Sequence, residues 1–409
     1  MSKNFLHKLL KPFNFLIPKS KSIYAVPLTN CSRDCYDFIN YTGDNLLCVV
    51  RHLFDNHYDL KIKIYLETFS EERFELIKEY IKKNTKGKLK VVLLLSHITK
   101  ENKKINYWRA FKNLFKRFRS KIWLSDTGHV NFYEKVKRQH FYVMNYGTPF
   151  KKEEGIDQKH NFMNIDAYIH TSELCAHFLS AEYIANYYNS RILGFPRNDT
   201  LFNSPKKNQV WDWLKTIGAN SRSKVIVYAP TYREYHGAYD KGIMGYDDVN
   251  NTLEEALSRN NCFLVVKMHP KQEIVKSLFS EHIVEYPYTY DFSLYDLLAE
   301  ASLLISDYSS IMHDFILINS NVVLNWFDNE KYDKTRGFAF DPIDNVCPGK
   351  IVKTHEELVR LINDIDLLAL DDDNYRRILN DFHKHIDSLS TKRVCDFLIE
   401  EMRHYKACK

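Results

Sequence analysis

Short apolar runs recur along the whole chain, and most are apolar at every position instead of every second one. In the first half they are Ser22–Pro27, Lys61–Leu66, Lys90–Leu95, Lys121–Leu124, Phe141–Asn145, Ala167–His170 and Arg191–Leu193. In the second half they are Lys224–Tyr228, Cys262–Lys267, Leu303–Ser306 and Val322–Asn325. Continuous runs of this length mark strands covered on both faces. Segments of helical period, such as Leu174–Tyr188, Leu253–Asn260 and Ile311–Ile318, lie between them. Strands alternating with helices build parallel sheets. The polar, basic stretch Asn203–Ser223, around one short helix (Val210–Thr216), separates two such series. The expected architecture is therefore α/β, two Rossmann-like domains facing across a cleft: 1–202, a linker at 203–223, and 224–409.

Composition fits that picture. A chain of 409 residues, 44% hydrophobic and 14% aromatic, suits two domains with proper cores and excludes a disordered one. No apolar run approaches the ~20 residues of a membrane-spanning helix. Residues 1–21 lack the unbroken apolar block of a secretory signal. The eight cysteines are scattered; Cys31 and Cys35 form a lone CxxxC and no Cys/His set has zinc spacing. Reduced, buried cytosolic thiols are the reading that follows.

The net charge of +6 is modest, so its placement matters more. Between Glu101 and Lys121 stand Lys103, Lys104, Arg109, Lys112, Lys116, Arg117, Arg119 and Lys121 against a single acid. Tyr107, Trp108, Phe111, Leu114, Phe115 and Phe118 fall on one helical face in the same segment. A basic helix with an aromatic face is the pattern of an interfacial membrane helix, although a packed helix with a solvated basic back has the same composition. Residues 1–21 repeat the theme with Lys3, Lys8, Lys11, Lys19 and Lys21. Together they point to reversible attachment at an anionic membrane surface. No nucleic-acid reader motif accompanies the charge, so no nucleic-acid partner is expected.

Ligands of open parallel sheets bind beyond the carboxyl ends of the strands. Four turns of the second half occupy such positions. They carry Thr231 and Arg233, Lys267 and His269, Asp307 with Ser309 and Ser310, and Arg336. Ser309 or Ser310 as the cap of a following helix would present backbone N–H groups to an anion. Plain capping, surface ion pairs and a satisfied loop histidine are the bland alternatives. Their convergence on one sheet edge favours an anionic ligand such as a nucleotide diphosphate. Without a GxxxxGK[ST] or GxGxxG, ordinary ATP and NAD sites are excluded. The first half adds Tyr146-Gly147-Thr148-Pro149-Phe150-Lys151 after a strand, and Arg197 and Asp199, which could equally lock a hinge.

At these residues the chain resembles the CDP-glycerol glycerophosphotransferase family, enzymes that prime and polymerise teichoic acids and related capsules. The matching words are Gly-Thr-Pro-Phe-Lys (147–151), Gly-Phe-Pro-Arg-Asn-Asp (194–199), Tyr-Ala-Pro-Thr-Tyr-Arg-Glu (228–234), His-Pro (269–270), Ile-Ser-Asp-Tyr-Ser-Ser (305–310) and Arg-Gly-Phe-Ala-Phe-Asp (336–341). The resemblance implies a GT-B fold, a CDP-alditol donor (CDP-glycerol or CDP-ribitol), a lipid-linked or polymeric glycan acceptor, release of CMP, and a peripheral place on the cytoplasmic membrane face. It implies His269, Arg233 and the Ser309–Ser310 turn on the diphosphate and Lys151 on the phosphate or acceptor side. Gly147, Thr148, Arg197, Asp199, Thr231 and Lys267 would line the site, with Asp307 and Arg336 ordering it. No cofactor and no bound metal are expected.

One departure stands out. The family's first word normally reads Trp-His-Gly-Thr-Pro, its His thought to be the catalytic base, whereas this chain has Tyr146 preceded by Asn145. A Tyr of pKa near ~10 is a poor base at neutral pH. Another group takes the proton (His269, or the weaker His129 and His160), or Tyr146 is perturbed, or the acceptor differs. Two rival readings stay open. A CMP-sugar transferase of sialyltransferase type would use Glu153-Glu154-Gly155 before His-Pro; a membrane-surface module would have lost its chemistry.

Overall fold

The structure, a computed structural model, describes residues 17–27, 36–99, 101–102, 104–126, 138–145, 147–148, 165–183, 186–231, 233, 249–269, 279–367 and 373–404. In chain order its elements are β1 (Ser20–Val26), α1 (Asn45–Asn56), β2 (Lys63–Thr68), α2 (Phe74–Asn84), β3 (Lys90–Leu95), α3 (Tyr107–Arg119), β4 (Ser120–Ser125) and β5 (His140–Val143). Then follow β6 (Ala167–His170), α4 (Glu173–Tyr183), β7 (Ser190–Ile192), α5 (Asp199–Phe202), α6 (Lys207–Thr216), β8 (Lys224–Tyr228), α7 (Val249–Arg259), β9 (Cys262–Val266) and β10 (Ile283–Glu285). The rest are α8 (Leu294–Leu298), β11 (Leu303–Ser306), α9 (Ile311–Phe315), β12 (Val322–Asn325), α10 (Asn329–Thr335), β13 (Lys350–Val352), α11 (His355–Asn363), α12 (Asp373–Phe382) and α13 (Ser390–His404).

Contacts divide the chain into two units: Met1–Tyr146 with Ile156–Asp199 and Asp387–Lys409, and Gly147–Gly155 with Thr200–Ile386. This differs from the expected boundaries in three places, the first being Gly147–Gly155, which belong to the second unit. Residues 203–223 belong to the second unit, where α6 buries Val210 and Leu214 and Trp211 Nε1 donates to Glu300 at 2.7 Å. The C-terminal helix α13 returns to the first unit, because Val394, Cys395, Leu398, Ile399 and Met402 complete the apolar cluster around α1.

The first unit is a seven-stranded sheet, β3-β2-β1-β4-β5-β6-β7, and the second a six-stranded one, β10-β9-β8-β11-β12-β13. Every strand pairing in the two sheets is parallel. Strand periodicity explains the unbroken apolar runs. Ile23 and Ala25 point to the cluster of α1 and α13, while Tyr24 and Val26 meet Trp123, Phe141 and Leu179 on the other face.

Helix α3 does not present the one aromatic face expected of it. Phe118 and Arg117 turn inward with Ala110 and Asn113, Arg117 lying over the Trp123 ring at 4.7 Å. Tyr107, Trp108 and Phe115 remain outside. Among the described residues no helix is long and apolar enough to cross a membrane.

Asp44 caps α1, accepting from Leu47 N at 2.8 Å, and Asp126 accepts from Leu46 N at 3.0 Å. Burial drives Asp44 up to about 6, against its hydrogen bonds with Leu47 and Asp126 and the charge of Arg197. A carboxyl raised from 3.8 contributes stability that is full below pH 3.8 and is lost as pH rises through 6. In Asp44→Asn the amide oxygen can still cap and the NH2 can still donate to Asp126, without a charge to bury. Thermal unfolding between pH 5 and pH 8 should therefore show the wild type losing ground to Asp44→Asn as pH rises; parallel curves would refute this.

Candidate active site

Strands β9, β8, β11 and β12 are neighbours in one parallel sheet, so the turns leaving them emerge along one rim of the second unit. His269, Thr231, Ser309 and Ser310 follow three of these strands within a few residues, and Arg233 belongs to the same rim. The rim has two layers. Thr231, Lys267, His269, Ser309, Ser310, Gly147 and Arg336 are half-buried, while Arg233, Asp307 and Thr148 lie beneath the surface.

Arg233, expected on the ligand, is committed to the protein. Its Nη2 meets Asp307 Oδ2 at 2.8 Å, its Nε meets Asp328 Oδ2 at 2.8 Å, and its Nη1 donates to the Thr231 carbonyl at 2.8 Å. The guanidinium sits about equally over Tyr308 and Tyr332, 5.0 Å from each ring centroid. Burial works against its charge, but Asp307 and Asp328 outweigh that and hold it above its ordinary value. Asp307 Oδ1 in turn accepts from Thr231 N at 2.8 Å and Tyr308 N at 2.5 Å. One cation thus ties together the turns after β8, β11 and β12.

The helix expected over Ile311–Ile318 is only the five residues of α9, and Ser310 makes no side-chain cap. Its backbone is wound tightly, His313 N donating to Ser310 O at 3.1 Å. A dipole sums over aligned peptides, so five residues supply little of the field that the anion argument assumed. What remains at this turn is two half-buried hydroxyls.

Gly147 lies against that turn: a Cβ there would come within 2.5 Å of Ser310 Oγ. Thr148 Oγ1 is 2.8 Å from His313 Nδ1, both side chains buried. Arg336 closes α10, and Gly337, at φ +75°, follows it in the left-handed conformation of a helix C-terminus. Phe338 then packs 5.5 Å from the Tyr308 ring.

Arg197 and Asp199 belong to the first unit. Asp199 caps α13, accepting from Ser390 N at 2.9 Å and Thr391 N at 2.8 Å, so both of its oxygens are engaged there. Arg197 is buried, lies over Phe195 and contributes its charge to Asp44. These contacts all lie within the first unit. Tyr146, Lys151, His129, His160 and Glu153-Glu154-Gly155 fall outside the described residues. The sequence reading missed Asp328, His313 and Tyr332. None of the three lies within a recognised word.

The rim of this parallel α/β fold carries hydroxyls, a histidine and a lysine. The chain belongs to the CDP-glycerol:poly(glycerophosphate) glycerophosphotransferase family, whose model matches residues 60–400, and it is an enzyme of that family. It is 28% identical over 344 residues to a teichoic acid poly(glycerol phosphate) polymerase of Bacillus spizizenii, covering 73% of this chain and 82% of that one. A teichoic acid glycerol-phosphate transferase of Staphylococcus aureus is 26% identical over 308 residues, covering 69% and 77%. Against the polymerase of Bacillus subtilis the match is 34% over 180 residues, 42% of this chain and 23% of that protein. The solved wall teichoic acid polymerase TagF shares the fold, with a TM-score of 0.71 at 17% identity over 98% of this chain and 94% of that one.

Removing one partner of a buried ion cluster leaves uncompensated charge and costs about 3–5 kcal/mol. Arg233→Ala should lower the unfolding free energy by that amount, read as a lower urea midpoint at unchanged slope. An unfolding free energy within about 0.5 kcal/mol of wild type would deny Arg233 this role.

Proposed function

We propose that this enzyme transfers an alditol phosphate, glycerol phosphate first and ribitol phosphate second, from a CDP-alditol to a hydroxyl of a lipid-linked or polymeric glycan. The product is a teichoic-acid-like or capsular polymer. The reading is supported by the family match and by the gathering of His269, Lys267, Thr231, Ser309 and Ser310 along one sheet rim. The two units would take up the GT-B arrangement.

In the reaction the acceptor oxygen attacks the alditol-bearing phosphorus, the bond from that phosphorus to the bridging oxygen breaks, and CMP leaves with the electron pair. The acceptor proton passes to a base. Transfers of this kind need mainly positioning and charge neutralisation. Lys267 and Arg336 supply charge to the diphosphate, Thr231, Ser309 and Ser310 hydrogen-bond it, and His269 carries the proton chemistry in place of the family's histidine at 146. Arg233 and Asp307 order these turns from below. Lys151 and Tyr146 would act on the acceptor side.

The assay is CMP release from a panel of CDP-glycerol, CDP-ribitol and CMP-sialic acid with a lipid-linked acceptor. A CDP-alditol should be consumed and CMP-sialic acid ignored; the reverse overturns the reading. His269→Ala should lose at least ~100-fold, and near-normal turnover would remove it from the mechanism.

The acceptor reading brings the protein to a membrane surface, and α3 is the element proposed to meet it. Trp108 is 65% exposed, Tyr107 46% and Phe115 42%, with Lys112 over the Trp108 ring at 4.8 Å. A peripheral place on the cytoplasmic face follows from the same proposal. Flotation with vesicles containing anionic lipid should be lost at high salt. It should weaken in a Lys112→Glu/Arg119→Glu variant, which spares the buried Arg117. Flotation indifferent to both removes α3 from the membrane.

A further inference from the structure

His313 has a single arrangement of its proton. Its Nε2 is 2.7 Å from the Val346 carbonyl, which can only accept, so Nε2 carries the hydrogen and Nδ1 offers a lone pair. Thr148 Oγ1, 2.8 Å from Nδ1, must therefore be the donor. The ring is fixed further by stacking on Phe382, centroids 3.9 Å apart and planes 11° from parallel. Its backbone carbonyl accepts from His383 Nε2 at 2.7 Å. Burial lowers His313 to about 4, in keeping with a neutral ring at physiological pH.

His313 stands on α9, the element that begins at the Ser310 turn, and Thr148 follows the glycine packed on Ser310 Oγ. Two contacts one residue apart thus fasten the same short segment to the same turn. From these we infer that Thr148 and His313 form a positioning couple that holds the Gly-Thr turn against Ser310. The inference rests on the proposed transfer reaction for its kinetic consequence, while the couple itself is a matter of geometry. A second consequence follows from valence. With its one proton given to His313, the Thr148 hydroxyl can only accept from any further partner, so it suits a sugar or alditol hydroxyl and not a phosphate oxygen.

The test uses the full chain and four variants. Thr148→Val keeps the shape and removes the donor; Thr148→Ser keeps the donor. His313→Phe keeps the stacking ring and removes the acceptor, and the fourth variant combines Thr148→Val with His313→Phe. Misplacing a group near a reacting centre costs up to about 100-fold. Thr148→Val and His313→Phe should each lower kcat by about 10- to 100-fold with KM for the CDP-alditol nearly unchanged, Thr148→Ser should recover most of it, and the double variant should lose no more than either single. Wild-type kcat in Thr148→Val, or losses that multiply in the double variant, overturns the couple. Amide hydrogen exchange gives a readout independent of turnover. The peptide spanning Gly147 and Thr148 should exchange faster in Thr148→Val and His313→Phe, not in Thr148→Ser, with α13 unaffected. If the wild type turns over no CDP-alditol, the functional reading fails, and exchange still decides the couple: unchanged protection in both variants rejects it.

Discussion

The buried fork of Arg233 between Asp307 and Asp328 is the constraint on which the rim depends. Three strands of a parallel sheet end near one another, but their turns have no ladder to hold them in place. Arg233 substitutes for it with five planar donors, reaching the Thr231 carbonyl and both carboxylates. The arrangement carries a cost in desolvation and a local charge of −1, one guanidinium against two carboxylates. The guanidinium's partners are all within the protein, and the half-buried Lys267, Arg336 and hydroxyls lie above this buried layer. The aromatic rings of Tyr308 and Tyr332, stacked 4.0 Å apart, spread over the guanidinium and exclude water that would loosen the fork.

Most of the fold was legible because sheets of this kind announce themselves. All eleven strands read from continuous apolar runs are present, since a strand covered on both faces has no polar side to interrupt it. The two strands that escaped notice, β10 and β13, are three-residue edges, Ile-Val-Glu and Lys-Ile-Val, too short for any period. The helix over Ile311–Ile318 was drawn too long because an apolar run does not reveal where the backbone stops being helical. Arg117 and Phe118 sat on the wrong side of α3 for a related reason. Charge suggests solvent, yet Arg117 finds an aromatic ring to lie on and is buried.

The site was legible as a set of words but not as a set of roles. Asp199 looked like a ligand residue because the helix it caps begins 191 positions later. Arg233 looked like a phosphate cation because one of its two carboxylates, Asp328, is 95 positions away in a stretch with no motif. Thr148 and His313 are 165 apart. In each case the missing information was a partner brought near by the sheet, and no local pattern encodes it.

The two glycines of the first-half words make the same point in a stricter form. Gly194 has φ +82°, which already favours glycine, and a Cβ there would also fall 2.3 Å from Ser390 Oγ. Gly147 shows only the second cause, a Cβ 2.5 Å from Ser310 Oγ. A turn alone would accept Asn at the first position and almost any residue at the second. What both positions share is a serine at the start of a helix pressed onto the backbone, Ser390 at α13 and Ser310 at α9. Gly-Thr-Pro and Gly-Phe-Pro are therefore seats for elements distant in sequence, one within each unit. Replacing either glycine would displace a helix start before it disturbed a turn, so the constraint on these words comes from what lies against them.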